Sequence, residues 1–329
     1  MHLWTNMDAI KLDLKDRKIL YELDKNCRQS NSRIAKKVGL SKQVVNYRIN
    51  KLQKQNIIQK YVTQLNVPKF GFLSYKIMLQ LQNVNPEKEK EIISQIQKSQ
   101  NVHWIVSCFG RWDLVFAFSS KTVMEFNKDL DKLLKLFDLF IREKEVLLIT
   151  DLYHFTRSYI TNKKEKDFTH FGGEPKETKL DNIDLEIIKI LSENARENII
   201  KIAEKLKISV DIVRYRVKKL QDNKLIQSFR ASINRELLGY QYWNVLIKTQ
   251  NLNEEKEKLI ISFLKQSPNV VFASKYVNNF NLGFELEVKS IEELNKILME
   301  FRYKFSDITK NYETVLFFKE HKIHYLPKT

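Results

Sequence analysis

One helix-turn-helix pattern occurs twice in this chain of 329 residues, at a constant offset of 168 positions. Leu12-Asp13 returns as Leu180-Asp181, Asn26 and Arg28 as Asn194 and Arg196, and Ile34-Ala35 as Ile202-Ala203. Ser41, Val45, Tyr47, Arg48 and Leu52 return as Ser209, Val213, Tyr215, Arg216 and Leu220, and Ile58, Gln59, Asn66 and Gly71 as Ile226, Gln227, Asn234 and Gly239. About a third of positions 12–72 are identical without a gap. A period this long exceeds any single solenoid repeat, so a whole two-part module has been duplicated.

Each module begins with helical periodicity. Asp13 is a good N-cap with Asp16 in the first turn, and Ile19, Leu20 and Leu23 form an apolar stripe. A second helix is expected over residues 31–38, ended by Gly39 in the left-handed conformation, and a third over residues 42–55 behind the Ser41 cap. Ile57-Ile58 and residues 61–65 suggest two short strands of a wing. The period then changes: strand (74–81), helix (86–99), two strands (102–109, 114–119), helix (123–139) and strand (145–152), the order of a ferredoxin-like fold. One face of such a sheet lacks helix cover and needs a partner sheet. Trp104, Phe109, Trp112, Phe116 and Phe118 are expected as core and sheet-packing residues.

The expected fold class is therefore α+β, with two winged helix-turn-helix domains (11–72, 180–240) alternating with two ferredoxin-like domains (73–160, 241–320). Residues 161–179, polar and containing a Lys-rich run with Gly172-Gly173 and Pro175, read as the linker.

The formal charge of +17 attracts polyanions, and its position says more than its size. Residues 11–72 hold 15 Lys and Arg against 4 Asp and Glu, a net of +11, whereas residues 179–240 carry +4 and residues 73–168 and 241–329 carry +2 each. Two cysteines, Cys27 and Cys108, neither repeated, argue against a disulfide framework and suit a reducing cytoplasm. The first eight residues do not read as a signal peptide, and no apolar run is long enough to span a membrane.

The third helix of the first unit turns Lys42, Gln43, Asn46, Tyr47 and Asn50 outward. Gln and Asn can hydrogen-bond adenine bidentately and Lys can donate to guanine, so this face suits the major groove of double-stranded DNA. Arg33, Lys36, Lys37, Lys51, Lys54 and Lys60 surround it as candidate phosphate contacts. Arg48 recurs as Arg216 and suits a salt bridge as well as a phosphate. In the second unit Lys42, Gln43 and Asn46 become Val210, Asp211 and Arg214. Arg214 and Lys218 keep some basic character, so a weaker or differently specific contact is expected there.

The segment from Leu12 to Gln59 and the Leu238-Gly239-Tyr240 that opens the second companion domain resemble the Lrp/AsnC family of transcriptional regulators. The resemblance covers nearly the whole chain, twice. It implies DNA-binding winged helices, ferredoxin-like AsnC/RAM domains that pair through their sheets, and in many members an amino-acid effector. The family's Gly-x-x-Asp turn stands here as Gly110 to Asp113, which the resemblance marks as the candidate effector site. In the second copy the same turn reads Asn278 to Asn281, with neither Gly nor acid. Self-association is expected through the sheets, either as an internal pseudo-dimer or as a homodimer.

An enzyme is not expected. Some siroheme decarboxylases resemble the same two-part module, but that chemistry wants His and Arg around a large cavity. Of the histidines, only His103 and His154 fall in or beside the first copy's strands, and neither recurs. No metal-ligand spacing, phosphate-cradling Gly loop or nucleophile–base arrangement stands out, and no cofactor or metal is expected. A small-molecule sensor that no longer touches DNA is the third reading, against which the charge of the first head speaks.

Overall fold

The structure, a computed structural model, describes residues 9–161, 167–323, 326 and 327. The first eight residues, the Lys-rich run at 163–166, His2 and His324 therefore lie outside it. The first head comprises α1 (Leu14–Lys25), α2 (Asn31–Val38), α3 (Lys42–Lys54) and β1 (Ile58–Leu65). Asp13, Ser30 and Ser41 cap these helices by accepting from the N–H groups of Asp16, Arg33 and Val44. Gly39 closes α2 at φ 65°.

The first companion domain follows as β2 (Leu73–Leu81), α4 (Pro86–Lys98), β3 (Val102–Phe109), β4 (Leu114–Ser120), α5 (Val123–Leu134) and β5 (Ile141–Phe155). An added strand, β6 (Phe168–Gly172), returns antiparallel along β5. The segment read as a linker thus contributes a strand, because β5 runs past its own sheet and leaves an edge to pair. The second module repeats the order as α6 (Asn182–Glu193), α7 (Ile199–Leu206), α8 (Val210–Asp222), β7 (Ile226–Ile233), β8 (Gln241–Thr249), α9 (Glu254–Gln266), β9 (Val270–Val277), β10 (Leu282–Val288), α10 (Ile291–Lys304) and β11 (Thr309–Ile323).

The expected two-stranded wing does not form. Ile57 stays outside the strand, and β1 pairs antiparallel with β7 of the other head, Tyr61 opposite Ala231 and Val62 opposite Arg230. The exchange is reciprocal: the Cys27 N–H donates to Phe229 O and the Ala195 N–H to Tyr61 O, at 2.8 and 3.1 Å. Each head therefore completes itself on the strand of its duplicate.

The two sheets close on each other in the same way. Within the first, β5, β2, β4 and β3 lie side by side, and within the second β11, β8, β10 and β9. The two long last strands stitch the seams. Residues 141–149 of β5 pair with β2 and residues 148–154 with β9, while β11 pairs first with β8 and then with β3. Eight strands form a closed ring, which removes the free edges of both sheets. Along β2 the alternation sends Ile77 and Leu79 outward under α4 and α5, and Met78 inward to the core shared with the other module. Trp112, Phe116 and Phe118 are fully buried; Phe109, expected in the core, is 62% exposed at the end of β3 and meets Phe318 edge-on.

Candidate nucleic-acid interface and the cavity beneath the heads

In the first head α3 presents Lys42, Gln43, Asn46, Tyr47, Asn50, Lys51 and Lys54 at the surface, with Tyr47 68% exposed, and Arg33 and Lys36 of α2 are exposed beside them. Among the described residues no carboxylate lies within ion-pair distance of Arg33, Lys36, Lys42, Lys51 or Lys54. That leaves five cations along the exposed faces of α2 and α3, with Lys42 just behind the Ser41 cap and Lys51 and Lys54 in the last turn of α3.

Three expected contacts are committed elsewhere. The Arg48 guanidinium turns back to Asp13 and Asp16 at 2.6 and 2.7 Å, and those hydrogen bonds, to Asp16 first, raise its pKa. Lys37 donates to Glu22 and Gln29 at 2.5 and 2.7 Å. Lys60 donates to the Ile323 carbonyl at 2.8 Å, and burial lowers its pKa. These three cations hold the head together and to the barrel. Asn46 and Asn50 occupy an intermediate position, lining an open cleft of 350 Å³ between the heads. There Asn31 bridges Asn46 (3.1 Å) to Arg196 of the second head (2.8 Å).

The second head keeps the scaffold and changes the face. Arg216 repeats the Arg48 arrangement with Asp181 and Asp184. Arg214 is exposed but donates to Asp211 at 2.9 Å, so the acid of the first turn offsets it; Lys218 is exposed. Where the first head has Gly39, the second holds Lys207 at φ 55°, a strained position for a residue with a Cβ.

The Gly110–Asp113 turn lies on the seam between modules. A Cβ at Gly110 would sit 3.5 Å from Thr314 O, and Arg111 spans Glu143 and Glu313 at 2.5 and 2.6 Å. The Asp113 carboxylate accepts from the Leu81 N–H at 2.6 Å. The open hollow beside such a turn, 980 Å³, belongs to the second copy and is lined by Asn278, Asn281, Lys248 and Glu145.

Unforeseen from the sequence is a mainly apolar cavity of 170 Å³ between the β1–β7 ribbon and the inner face of the ring. His103, His154, Lys76, Arg157, Arg230 and Arg235 all line it. Arg157 is its hub. It donates to Asp24 of α1 through Nη1 and its backbone N–H, both at 2.8 Å, and to Glu287 of β10 through Nε at 2.9 Å. Tyr159 donates to the same Glu287, and Arg235 lies 3.5 Å from Glu320. Burial works against the Glu287 carboxylate, but Arg157 and Arg235 beside it hold its pKa below the usual range. Burial also works against the Lys76 ammonium, which Glu285 at 2.9 Å nevertheless keeps charged and raised. His154 is held neutral, first by burial and then by the charges of Arg230 and Arg157.

The sequence offered only the histidines as a signal for this cavity. Its arginines come from one segment after β5 and another around β7, brought together by the ribbon. Among the described residues no group of three or more His, Cys, Asp or Glu is placed to hold a metal ion. No described helix is long and apolar enough to cross a membrane.

The chain thus sets two helix-turn-helix heads over two conjoined ferredoxin-like sheets, and the comparisons place those heads among DNA-binding domains. Residues 12–59 match a model for winged helix-turn-helix DNA-binding domains and residues 180–221 one for the AsnC-type helix-turn-helix domain. The chain is 34% identical over 132 residues to the HTH-type transcriptional regulator Ptr1 of Methanocaldococcus jannaschii, spanning 39% of this chain and 86% of Ptr1. It is 27% identical to the HTH-type transcriptional regulator FL11 of Pyrococcus horikoshii over 36% of this chain and 78% of FL11. The chain belongs to the Lrp/AsnC family of helix-turn-helix, DNA-binding transcriptional regulators, as a tandem duplication of the module.

The crystal structure of the siroheme decarboxylase NirDL is similar over 95% of this chain and 94% of that one, with a TM-score of 0.62 and 14% identity. At that identity the likeness is one of fold. It still corrects the expectation that the chain is no enzyme, because the complete two-module architecture is one that an enzyme also uses. The His and Arg that such chemistry wants are present after all, gathered from distant segments around one cavity.

Proposed function

We propose that the chain regulates transcription as an internal pseudo-dimer, presenting two unlike heads from one chain to an asymmetric operator in the cytoplasm. The observation that carries this reading is the β1–β7 ribbon, which fixes both heads to each other while the ring of strands satisfies both sheets. Half-site symmetry mirrors protein symmetry, and these heads differ at the residues that would meet base edges. The first head, with Lys42, Gln43 and Tyr47 exposed, supplies most of the affinity. An amino-acid effector at Gly110 and Asp113 is the finer part of the reading; it is supported by the seam position of the turn and tested by thermal shift against the standard amino acids. For the DNA reading, binding-site selection from a random duplex pool decides. A single asymmetric motif, lost on Lys42→Ala with Gln43→Ala, supports it; a palindrome indicates two chains, and no enrichment overturns it.

Two observations together favour a second reading. The fold of NirDL, which has also been crystallised with an iron-uroporphyrin III analogue, and the His154–arginine corner of the cavity together suit chemistry on an anionic tetrapyrrole. Space counts against it, since 170 Å³ is close to the roughly 150 Å³ that admits benzene. An absorbance titration with an iron tetrapyrrole separates the readings: a saturable Soret shift supports the second.

A further inference from the structure

We propose that the cavity under the β1–β7 ribbon binds a small monocarboxylate with an apolar body about one aromatic ring in size, and that the heads sense its filling. The site stands on the cavity alone, and only the coupling rests on the DNA reading.

Three observations converge. The walls are largely apolar, from Val62 and Leu65 of β1, Ile149 and Leu152 of β5, Trp104 and Phe272, and 170 Å³ suits a single ring. Second, His154, only 4% exposed and stacked on Phe272 at 4.0 Å, leaves Nε2 without a hydrogen-bond partner. Its proton can be placed. The Ser228 hydroxyl donates to Gln64 Oε1 at 2.5 Å, which turns the Gln64 amide N–H toward His154 Nδ1 at 2.6 Å. Nδ1 accepts, so Nε2 carries the hydrogen and offers it to the cavity. A buried donor left unmade costs about 1–3 kcal/mol, which a ligand oxygen would recover.

Third, the field at that corner is positive. The charges of Arg230 and Arg157 both bear on His154, and the Arg235 Nε has no hydrogen-bond partner. The acids that balance these cations, Asp24 and Glu287, have fully buried side chains behind them. A carboxylate therefore finds donors. An ammonium does not find an acid, because Glu285 and Glu320, the acids of the lining, are taken by Lys76 and Arg235. That chemistry separates this ligand from a free amino acid, and Gly110 and Asp113 take no part in the lining.

Coupling follows from the roof. Val62, Gln64 and Leu65 lie on β1 and residues 230–233 on β7, the strands that hold the heads together. Gln64 also ties His154 to Ser228 of β7. A ligand pressing on both strands changes the seating of one head on the other.

The test is calorimetric titration of the full chain with benzoate and phenylacetate, against benzyl alcohol and phenylalanine, and of two variants. His154→Phe keeps the stack on Phe272 and removes the donor; Leu152→Trp fills the space. We expect the two acids to bind in the millimolar range or tighter, at least about tenfold better than the neutral and zwitterionic compounds. His154→Phe should weaken them by about tenfold or more, and Leu152→Trp should abolish binding. No binding to the native chain at about 10 mM, or unchanged binding by both variants, overturns the site. In a second arm, saturating benzoate should shift DNA affinity several-fold in the native chain and not in Leu152→Trp. Acid binding with unchanged DNA affinity overturns the coupling and upholds the site. If the chain binds no DNA at all, the regulatory reading falls while the titration still decides the cavity.

Discussion

The division of cations in the first head gives a quantitative prediction about salt. Lys36, Lys42 and Lys51 are exposed without an acid partner among the described residues, whereas Lys37, Arg48 and Lys60 are spent on Glu22, on Asp13 and Asp16, and on a β11 carbonyl. Each phosphate neutralised contributes about 0.9 to the slope of log affinity against log salt, so replacing the three exposed lysines by Ala should flatten it by about 2.7. Between about 50 and 200 mM salt the native affinity should then fall about 40-fold further than that of the triple variant.

Fluorescence anisotropy with a duplex carrying the selected motif, titrated at four or five salt concentrations, reads the slope directly. The complementary variant, Lys37→Ala with Arg48→Ala and Lys60→Ala, should leave the slope within experimental error. It should instead lose stability, by about 1 kcal/mol for the Arg48 pairs, which sit at the upper end for partly exposed ion pairs. Both variants lose the same three charges, so overall charge cannot explain a difference between them. Equal flattening by the two triples would falsify the assignment of the DNA face to α2 and α3.

Three further outcomes are expected. Asp211→Ala releases Arg214 in the second head, so the salt slope should steepen by up to about 0.9; an unchanged slope places that head away from DNA. Lys207→Gly relieves a left-handed non-glycine residue and should raise the denaturant midpoint, by about 1 kcal/mol in stability, with no change in DNA affinity. Arg157→Met strips a buried pair from Asp24 and Glu287 and should cost about 3 kcal/mol, the low end for such losses because Arg230 and Arg235 remain within 3.6 and 4.0 Å of them. Glu287, with its pKa held low, adds stability above the usual carboxylate pKa that is lost as pH falls. In the variant that pKa rises, so the deficit should be largest at neutral pH and narrow on acidification; a deficit independent of pH refutes the role of Arg157.

Most of the architecture was legible because duplication doubles every signal. Asp13 and Asp181, Ser41 and Ser209 mark the same helix starts twice, and the change from helical to alternating periodicity marks the companion domains. What escaped depends on partners far apart in the chain. β1 reads as a wing strand because its apolar residues are consistent with any antiparallel partner, and only assembly selects β7. The same holds for the site. The exposure of Lys42 follows from its position on an amphipathic helix. The salt bridge of Arg48 was one of two readings its recurrence as Arg216 left open, whereas the withdrawal of Lys60 follows from a β11 carbonyl that the local sequence does not reveal. The cavity is the extreme case, since the four residues of its ionic hub, Asp24, Arg157, Arg235 and Glu287, come from both modules.

Covalent duplication also explains why the heads could diverge. In a module that pairs with its own copy, any change at a recognition position appears in both heads. Here the sheet face that would recruit a second copy is already covered, and both seams are stitched by β5 and β11. Joining the two partners in one chain raises their effective concentration and favours the internal pair over an external one. Lys42, Gln43 and Asn46 could then persist in one head while Val210, Asp211 and Arg214 arose in the other. The shared scaffold pairs, Arg48 with Asp13 and Arg216 with Asp181, stayed in step because each half still has to fold. A charge of +11 on one head and +4 on the other leaves the two heads unequal in their attraction for a polyanion.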